Sequence, residues 1–311
     1  MQISISNSIK GSIVGLGGGG GAGGAIATDF RSRVLADGGT YENGACLTSF
    51  INSLNPYSGN LLLGLYPNAA AAYSLRLLNP DYTGDAIRVR RSSDNAEQDI
   101  GFVSGALDTA SLLTFCGVGN GFVVTWYDQS GNARNATQST AANQPKIYDG
   151  TTGVVLSGSL PAMTYDGTND YLTAAFTSLG TVYTSFLVAN VTAGAALPYY
   201  IYTLAATTNN SYRWNGISLF LRGSTDISYA SGAVGRALHT NIQDTTSYMY
   251  LNTVQKATGA SGSATFTNVN IGGSGSTFAA LVAQEMIVYA SNQSANRLGI
   301  AANINSYYGI Y

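Results

Sequence analysis

Charge and histidine are scarce in this sequence. Lys, Arg, Asp and Glu make up 10% of 311 residues, with 14 basic against 16 acidic side chains and a formal charge of −2. Such a balance supplies no cationic field to gather nucleic acid or anionic lipid, which excludes both as primary partners. The single histidine, His239, confines any Ser-His-Asp, Cys-His or multi-histidine metal arrangement to one residue. It follows Ala237 and Leu238 in a strand-like stretch, a setting that favours a structural role. The two cysteines, Cys46 and Cys116, cannot make a disulfide framework, and neither lies in a CxxC or a His/Cys cluster, so a zinc site is not supported. No apolar run approaches the roughly 20 residues of a membrane span.

Glycine and aromatics are abundant. There are 38 Gly, 21 Tyr, 10 Phe and 2 Trp, and 45% of the residues are hydrophobic. This is a globular composition, neither disordered nor collagen-like. With few charges, the polar surface has to come from Ser, Thr, Asn, Gly and Tyr, which suits a member of a larger assembly or a protein that touches neutral ligands such as sugars. Arginine outnumbers lysine (Lys10, Lys146 and Lys256), and its planar head favours partly buried pairs.

Along the chain, residues 1–28 stand apart, with glycine dominating from Gly15 to Ala27. The segment reads as a flexible linker or, more specifically, as an attachment arm that docks through Ile13, Val14, Leu16, Gly17, Gly18, Gly19 and Gly20, because glycine permits close backbone approach. Lys10 and the small residues near Ala25 resemble a secretory signal only faintly. Residues 29–65 read as a short helical connector. Phe30, Val34 and Leu35 share one helical face, and Ala45, Cys46, Phe50, Ile51 and Leu54 share another, which makes Cys46 a core residue. Residues 66–311 read as short strands between Gly, Asn and Asp turns, including 86–90, 122–127, 182–191, 217–221, 247–251 and 281–289. Their spacing indicates an all-β sandwich. Ala295, Leu298, Ile300, Ala301 and Ile304 then have the spacing of one closing C-terminal helix.

Three stretches carry a resemblance. AAAAYSLRLL with DAIRVRRSSDNAEQDIGF (69–78 and 85–102), and LLTFCGVGNGFVVTWYDQSGNARNATQ (112–138), resemble the catalytic domain of fungal α-L-arabinofuranosidase B, a concanavalin A-like jelly roll. QEMIVYASNQSANRLGIAANINSYYG (284–309), preceded by YDGTNDYL (165–172), is similar to the last strand and helix of laminin-G and concanavalin A-like lectin modules. FRSRVLADGGTYENGACLTSFINSLN (30–55) resembles a segment of bacteriophage virion proteins. Together these imply a concanavalin A-like jelly-roll sandwich in a virion structural protein: a head fibre, capsid decoration or tail-associated protein. Such a chain would be a homo-oligomer, would join other virion proteins through its N-terminal arm, and would present a lectin-like domain to host or environmental glycans. A secreted lectin-like adhesin is a further reading.

The enzyme family uses two carboxylates about 5 Å apart to retain configuration. The resemblance places its acid in a Gly-Gly-Asp turn, where this chain has IGGSGS with Ser274, and its nucleophile near Ile217–Gly223, where no carboxylate occurs. Beyond Tyr171 the acids are Asp226, Asp244 and Glu285, and Glu285 matches a structural Glu of lectin-like folds. The family's vicinal Cys-Cys pair is missing, and Cys116 matches a family cysteine without its partner, which implies a free buried thiol. The expectation is therefore a chain that is not an enzyme, with no catalytic residue and no cofactor. The alternative is a glycoside hydrolase of arabinofuranosidase type that uses other carboxylates, such as Asp94, Glu97 and Asp99 or Asp166 and Asp170. Asp94, Asn95, Glu97 and Asp99 could line a Ca²⁺ site, though salt bridges to Arg88, Arg90 and Arg91 fit them better. Asp128 and Asp166 precede glycine turns, where Asp side chains bond backbone amides. For glycan contact the candidates are Trp214, Tyr212, Asn215, Tyr199 and Tyr200, with Trp214 expected to be exposed between turn formers and Trp126 in the core. The pair Tyr307-Tyr308 is a further aromatic candidate.

Overall fold

Alternating apolar and polar side chains make most segments between residues 66 and 290 half-buried strands. The computed structural model describes residues 61–311 except 176, 193–198, 205–210, 232–233, 263–264 and 276. The attachment residues Ile13, Val14, Leu16 and Gly17 to Gly20, the two expected helices before residue 55, and Cys46 lie outside the described residues.

In chain order the principal strands begin with β1 (Ala71–Ser74), β2 (Ile87–Arg91), β3 (Glu97–Ile100), β4 (Gly121–Trp126), β5 (Ala136–Thr137) and β6 (Lys146–Asp149). Next come β7 (Met163–Asp166), β8 (Leu172–Ala175), β9 (Tyr183–Val191), β10 (Tyr199–Thr203), β11 (Ser211–Trp214) and β12 (Ser218–Arg222). Then follow β13 (Asp226–Ala230), β14 (Val234–Gln243), β15 (Ser247–Leu251), β16 (Val254–Gly259), β17 (Asn268–Ile271) and β18 (Ala280–Tyr289). The strand segments expected from the sequence fall within a residue or so of these bounds.

The strands form two layers. In the back layer β18 pairs with β9 on one edge and with β7 and then β1 on the other, and β9 continues to β14, β15 and β16. In the front layer the order is β13, β12, β11, β10, β17, β8, β5. The layers meet at β4, which forks: its start pairs with β6, which leads to β7, and its end pairs with β5. β2 lies along the other edge of β4, with β3 beyond it. All these pairings are antiparallel, as a jelly-roll sandwich requires.

Between the layers, Tyr183, Leu187 and Met249 of the back sheet meet Tyr212, Trp214, Leu219, Leu221, Val269 and Ile271 of the front sheet. On the far side of the back sheet, Phe186, Val188, Leu238, Ile287 and Tyr289 are covered by a short helix α1 (Leu62–Leu65) and the C-terminal helix α3 (Arg297–Tyr308). Ile300, Ala301, Ile304 and Tyr308 recur every three or four residues, so one face of α3 fills that surface. Gly309 ends the helix in the left-handed conformation at φ 58°, where a glycine carries no Cβ penalty.

Between α1 and α3 in chain order is α2 (Thr109–Cys116), a helix the strand-dominated reading missed. Asp108 caps it by accepting from Ser111 N at 3.0 Å, and Leu112 and Cys116 face the core. Cys116 is a free, buried thiol, as the resemblance implied, and burial pushes its thiol up to about 11.

The WYDQSGN motif turns out to be a staple. Trp126 is fully buried against Tyr73, with ring centroids 5.8 Å apart. Asp128 accepts from Ala72 N at 2.8 Å, Ser130 N at 2.9 Å and Arg134 N at 3.0 Å. Gln129 accepts from Leu78 N at 2.7 Å and donates to the carbonyls of Ser74 at 3.1 Å and Arg76 at 3.0 Å. The motif therefore satisfies the outer edge of β1 and ties it to the end of the forked strand β4.

Candidate functional site

The outward residues of the front layer come into register across strands. Thr173 of β8 stands opposite Asn270 of β17, Asn270 opposite Thr203 of β10, Thr203 opposite Ser211 of β11, Ser211 opposite Arg222 of β12, and Arg222 opposite Asp226 of β13. Thr173 Oγ1 donates to Asn270 Oδ1 at 2.5 Å, and Asn270 Nδ2 donates to Thr203 Oγ1 at 3.0 Å. A second row runs beside the first, with Tyr200 opposite Arg213, Arg213 opposite Phe220, and Phe220 opposite Ser228. The Arg213 guanidinium lies 5.3 Å from the Phe220 ring centroid and pairs with the Asp226 carboxylate. Thr203 and Ser211 are fully buried, Thr173, Asn270, Arg222 and Phe220 are half-buried, and Asp226 is exposed.

At the start of β8 the turn between β7 and β8 brings two carboxyl groups together. Asp166 Oδ1 accepts from Thr168 N at 2.7 Å and from Asn169 N at 3.2 Å, and Asp166 N donates to Asp170 Oδ2 at 2.9 Å. Asp166 is exposed, whereas Asp170 is 7% exposed. Burial pushes the Asp170 carboxyl up to about 7. The Asp166 charge adds to the rise, and the Asp166 amide and Lys146 oppose it. Tyr165 lies beneath this corner, with a buried hydroxyl that has no hydrogen-bond partner among the described residues.

The IGGSGS segment folds back against the same corner. Ile271 pairs with Leu172, and Gly273 and Ser274 pair with Phe278 and Thr277 in a small hairpin. The Phe278 ring stands 6.0 Å from Tyr171. Gly272, at φ 93°, packs so tightly that a Cβ would sit 2.3 Å from the Tyr165 ring and 2.9 Å from the Asp170 carbonyl oxygen, so this position requires glycine.

Of the other candidate acids, Asp94 and Asp99 are engaged elsewhere, and Glu97 is exposed on β3. Arg88 grips Asp99 at 2.9 and 2.6 Å, and Tyr127 OH adds a bond at 2.7 Å, so the Asp99 carboxyl lies below its usual range, chiefly through Arg88. Arg91 holds Asp94 down to about 2 through paired bonds at 3.0 and 2.6 Å. Arg90 bonds Asn95 and Gln144 rather than an acid. Among the described residues no group of three or more His, Cys, Asp and Glu side chains is placed to hold a metal ion. Glu285 is fully buried, bonded by Arg76 Nε at 2.7 Å, Ser74 Oγ at 2.8 Å and Tyr308 OH at 3.2 Å, an arrangement that serves structure.

The expected glycan residues divide. Trp214 is 7% exposed and Tyr212 1%, and both point into the core. The expected exposure of Trp214 is therefore corrected, because SYRW is a strand and its alternation turns Tyr212 and Trp214 inward while Ser211 and Arg213 face out. Asn215 accepts from Ile217 N at 3.1 Å and Ser218 N at 2.8 Å, closing the turn between β11 and β12. Tyr199 lies opposite Trp214, and Tyr200 is buried beside Arg213. Tyr307 and Tyr308 pack around Arg76 on the back of the molecule. Sequence reading passed over Arg213, Phe220, Arg222 and Asn270. Their period-two alternation was visible, but the pairing that aligns them was not.

Residues 63–213 match the family model described as "Alpha-L-arabinofuranosidase B, catalytic". Among solved structures, an arabinofuranosidase complexed with arabinofuranosyl-α-1,2-xylobiose has a TM-score of 0.60 at 15% identity, covering 76% of this chain and 62% of that one. A GH54 α-L-arabinofuranosidase soaked with a cyclic sulfate inhibitor gives the same values, 0.60, 15%, 76% and 62%. The chain thus spans 62% of the length of these structures. No curated protein matches it. The expectation that the chain is not an enzyme is overturned by the match of residues 63–213 to a catalytic-domain model. That expectation required carboxylates at the family's own positions in segments that follow Arg213, whereas the matched region holds the Asp166 and Asp170 pair. The virion reading gains no support from these relatives. The chain has an arabinofuranosidase-like β-sandwich and, across residues 63–213, sequence similarity to the catalytic domain of α-L-arabinofuranosidase B.

Proposed function

We propose that the protein is a glycoside hydrolase of arabinofuranosidase type in which Asp170 is the acid and Asp166 the facing carboxylate. The observation that carries this reading is the carboxyl pair itself, which lies within the family match and beside the IGGSGS hairpin. Burial to about 7 keeps Asp170 protonated up to neutral pH, so it can protonate a leaving glycosidic oxygen. Asp166 is exposed and anchored through Oδ1, which leaves Oδ2 to attack the anomeric carbon or to take a proton from an attacking water. The stereochemistry of the product distinguishes these two roles.

The front-layer rows support the same reading. Hydroxyl and carboxamide groups from Thr173 and Asn270 lie beside the Tyr171 and Phe278 rings, a combination that offers a sugar both hydrogen bonds and an apolar face. The test is arabinose release from a nitrophenyl α-L-arabinofuranoside and from arabinoxylan. Asp170→Asn is expected to cut the rate by roughly 100-fold or more. The wild-type rate should fall as pH rises through about 7, where the acid loses its proton. Release that persists unchanged in Asp170→Asn would move the acid elsewhere. Saturable arabinoside binding with no release by the wild type would reduce the protein to a binder.

A further inference from the structure

Arg222 stands out among the cations of the front face. Asp226 lies directly across from it on β13, but the Asp226 carboxylate is taken by Arg213, and the buried Nε of Arg222 has no hydrogen-bond partner among the described residues. The Arg213 Nε is also buried and unpartnered. Every other side chain of the hydroxyl row is neutral except Asp226, so two guanidinium groups share one carboxylate and the cluster carries one uncompensated positive charge. Arg213 is two residues beyond Ser211, the cross-strand partner of Arg222, which makes the two arginines diagonal neighbours within about 8 Å of each other. A buried donor left unsatisfied forfeits its hydration, and a planar acceptor that accepts two bonds from one guanidinium removes that penalty.

We infer that Arg222, supported by Arg213, forms a subsite for a sugar carboxylate, so that the favoured carbohydrate carries a uronic acid group. The inference rests on the proposed function only in taking a carbohydrate as ligand. From β8, which begins two residues after Asp170, to β12 there are four inter-strand steps, or about 19 Å, which places the acidic substituent a few sugar units from the bond to be cleaved. The flanking residues suit that ligand. Phe220 offers a ring face under Arg213, and Ser228 an exposed hydroxyl beside it. Arg222 would grip the carboxylate with its fork as salt-bridging arginines do, while half-buried Thr173 and Asn270 at the neutral end of the row accommodate unmodified sugars.

Binding is read by calorimetry on the full chain carrying Asp170→Asn, so that no bond is cleaved and the outcome is independent of the catalytic assignment. The probes are a xylo-oligosaccharide bearing one glucuronate, the same oligosaccharide with that carboxyl reduced to the alcohol, free glucuronate, and inorganic phosphate. The acidic oligosaccharide should bind at least about tenfold more tightly than the reduced one. Arg222→Gln should erase that difference and leave the reduced probe unaffected, and Arg222→Lys should restore only part of it, because lysine keeps the charge but loses the fork. Equal binding of the acidic and reduced probes overturns the proposal, as does an unaltered preference in Arg222→Gln. Phosphate binding tighter than that of the acidic oligosaccharide would show a general anion site and overturn the assignment to a sugar acid. Near-ultraviolet circular dichroism of each variant guards against loss of fold as the cause.

Discussion

At the scale of single residues, two buried titratable groups give the protein opposite responses to pH. Folding raises the Asp170 carboxyl from 3.8 to about 7, so the folded chain keeps a proton that the unfolded chain releases. Its contribution to stability is therefore complete below about 4, declines as pH rises to about 7, and is level beyond. Asp170→Asn should gain on the wild type across that window when urea midpoints are compared, and parallel curves would show that the group is not held protonated. His239 behaves in reverse. It is fully buried between the layers with Nδ1 2.8 Å from Tyr212 OH, and burial lowers it from 6.5 to about 4. The unfolded chain takes up the proton first, so this contribution is lost as pH falls from about 6.5 to about 4. His239→Gln should be less stable at pH 7 yet lose less on acidification to pH 5, and a variant curve that runs parallel to the wild type between those values would contradict the assignment. The sequence showed that His239 was a poor catalytic candidate. It could not show the Asp170 environment, because the residues that bury it, Tyr165 and Gly272, are far apart along the chain.

At the scale of elements, the C-terminal helix is held by packing and by one buried ion pair. Arg76 follows β1, Glu285 lies within β18, and Asn303 of α3 accepts from Arg76 Nη1 at 3.0 Å, so three segments are joined at one guanidinium. Removing Glu285 leaves Arg76 as a buried, uncompensated charge and should cost about 3–5 kcal/mol in Glu285→Ala. The paired variant Arg76→Met with Glu285→Leu should recover much of that loss in the same urea titration, since an apolar pair of similar volume carries no desolvation penalty. If the double variant is no better than Glu285→Ala, the helix depends on the charges themselves. The closing helix was legible in the spacing of Ile300, Ala301 and Ile304 because period and length agreed. The helix Thr109–Cys116 was not, because eight residues between strands give too few turns for a period to stand out.

At the scale of the whole molecule, the two outer faces of the sandwich have different tasks. The back face is filled by α3, whereas the front face presents registered polar and aromatic rows with the Asp170 corner beside them. The layers and most strand positions could be read from alternation and turn residues. The rows could not, because they arise from pairings such as Thr203 with Asn270, whose register is set by long-range packing. The WYDQSGN motif, which carried much of the resemblance, anchors β1 and so speaks for the scaffold more than for chemistry. If the front face is where carbohydrate is recognised, Asn270→Ala and Phe220→Ala should each weaken retention on soluble arabinan or arabinoxylan in native affinity gels by several-fold. Leu298→Ser, which alters a residue 58% exposed on α3, should leave retention unchanged. Retention that depends on Leu298 and ignores Asn270 and Phe220 would place recognition on the opposite side of the sandwich and separate it from the Asp166 and Asp170 pair.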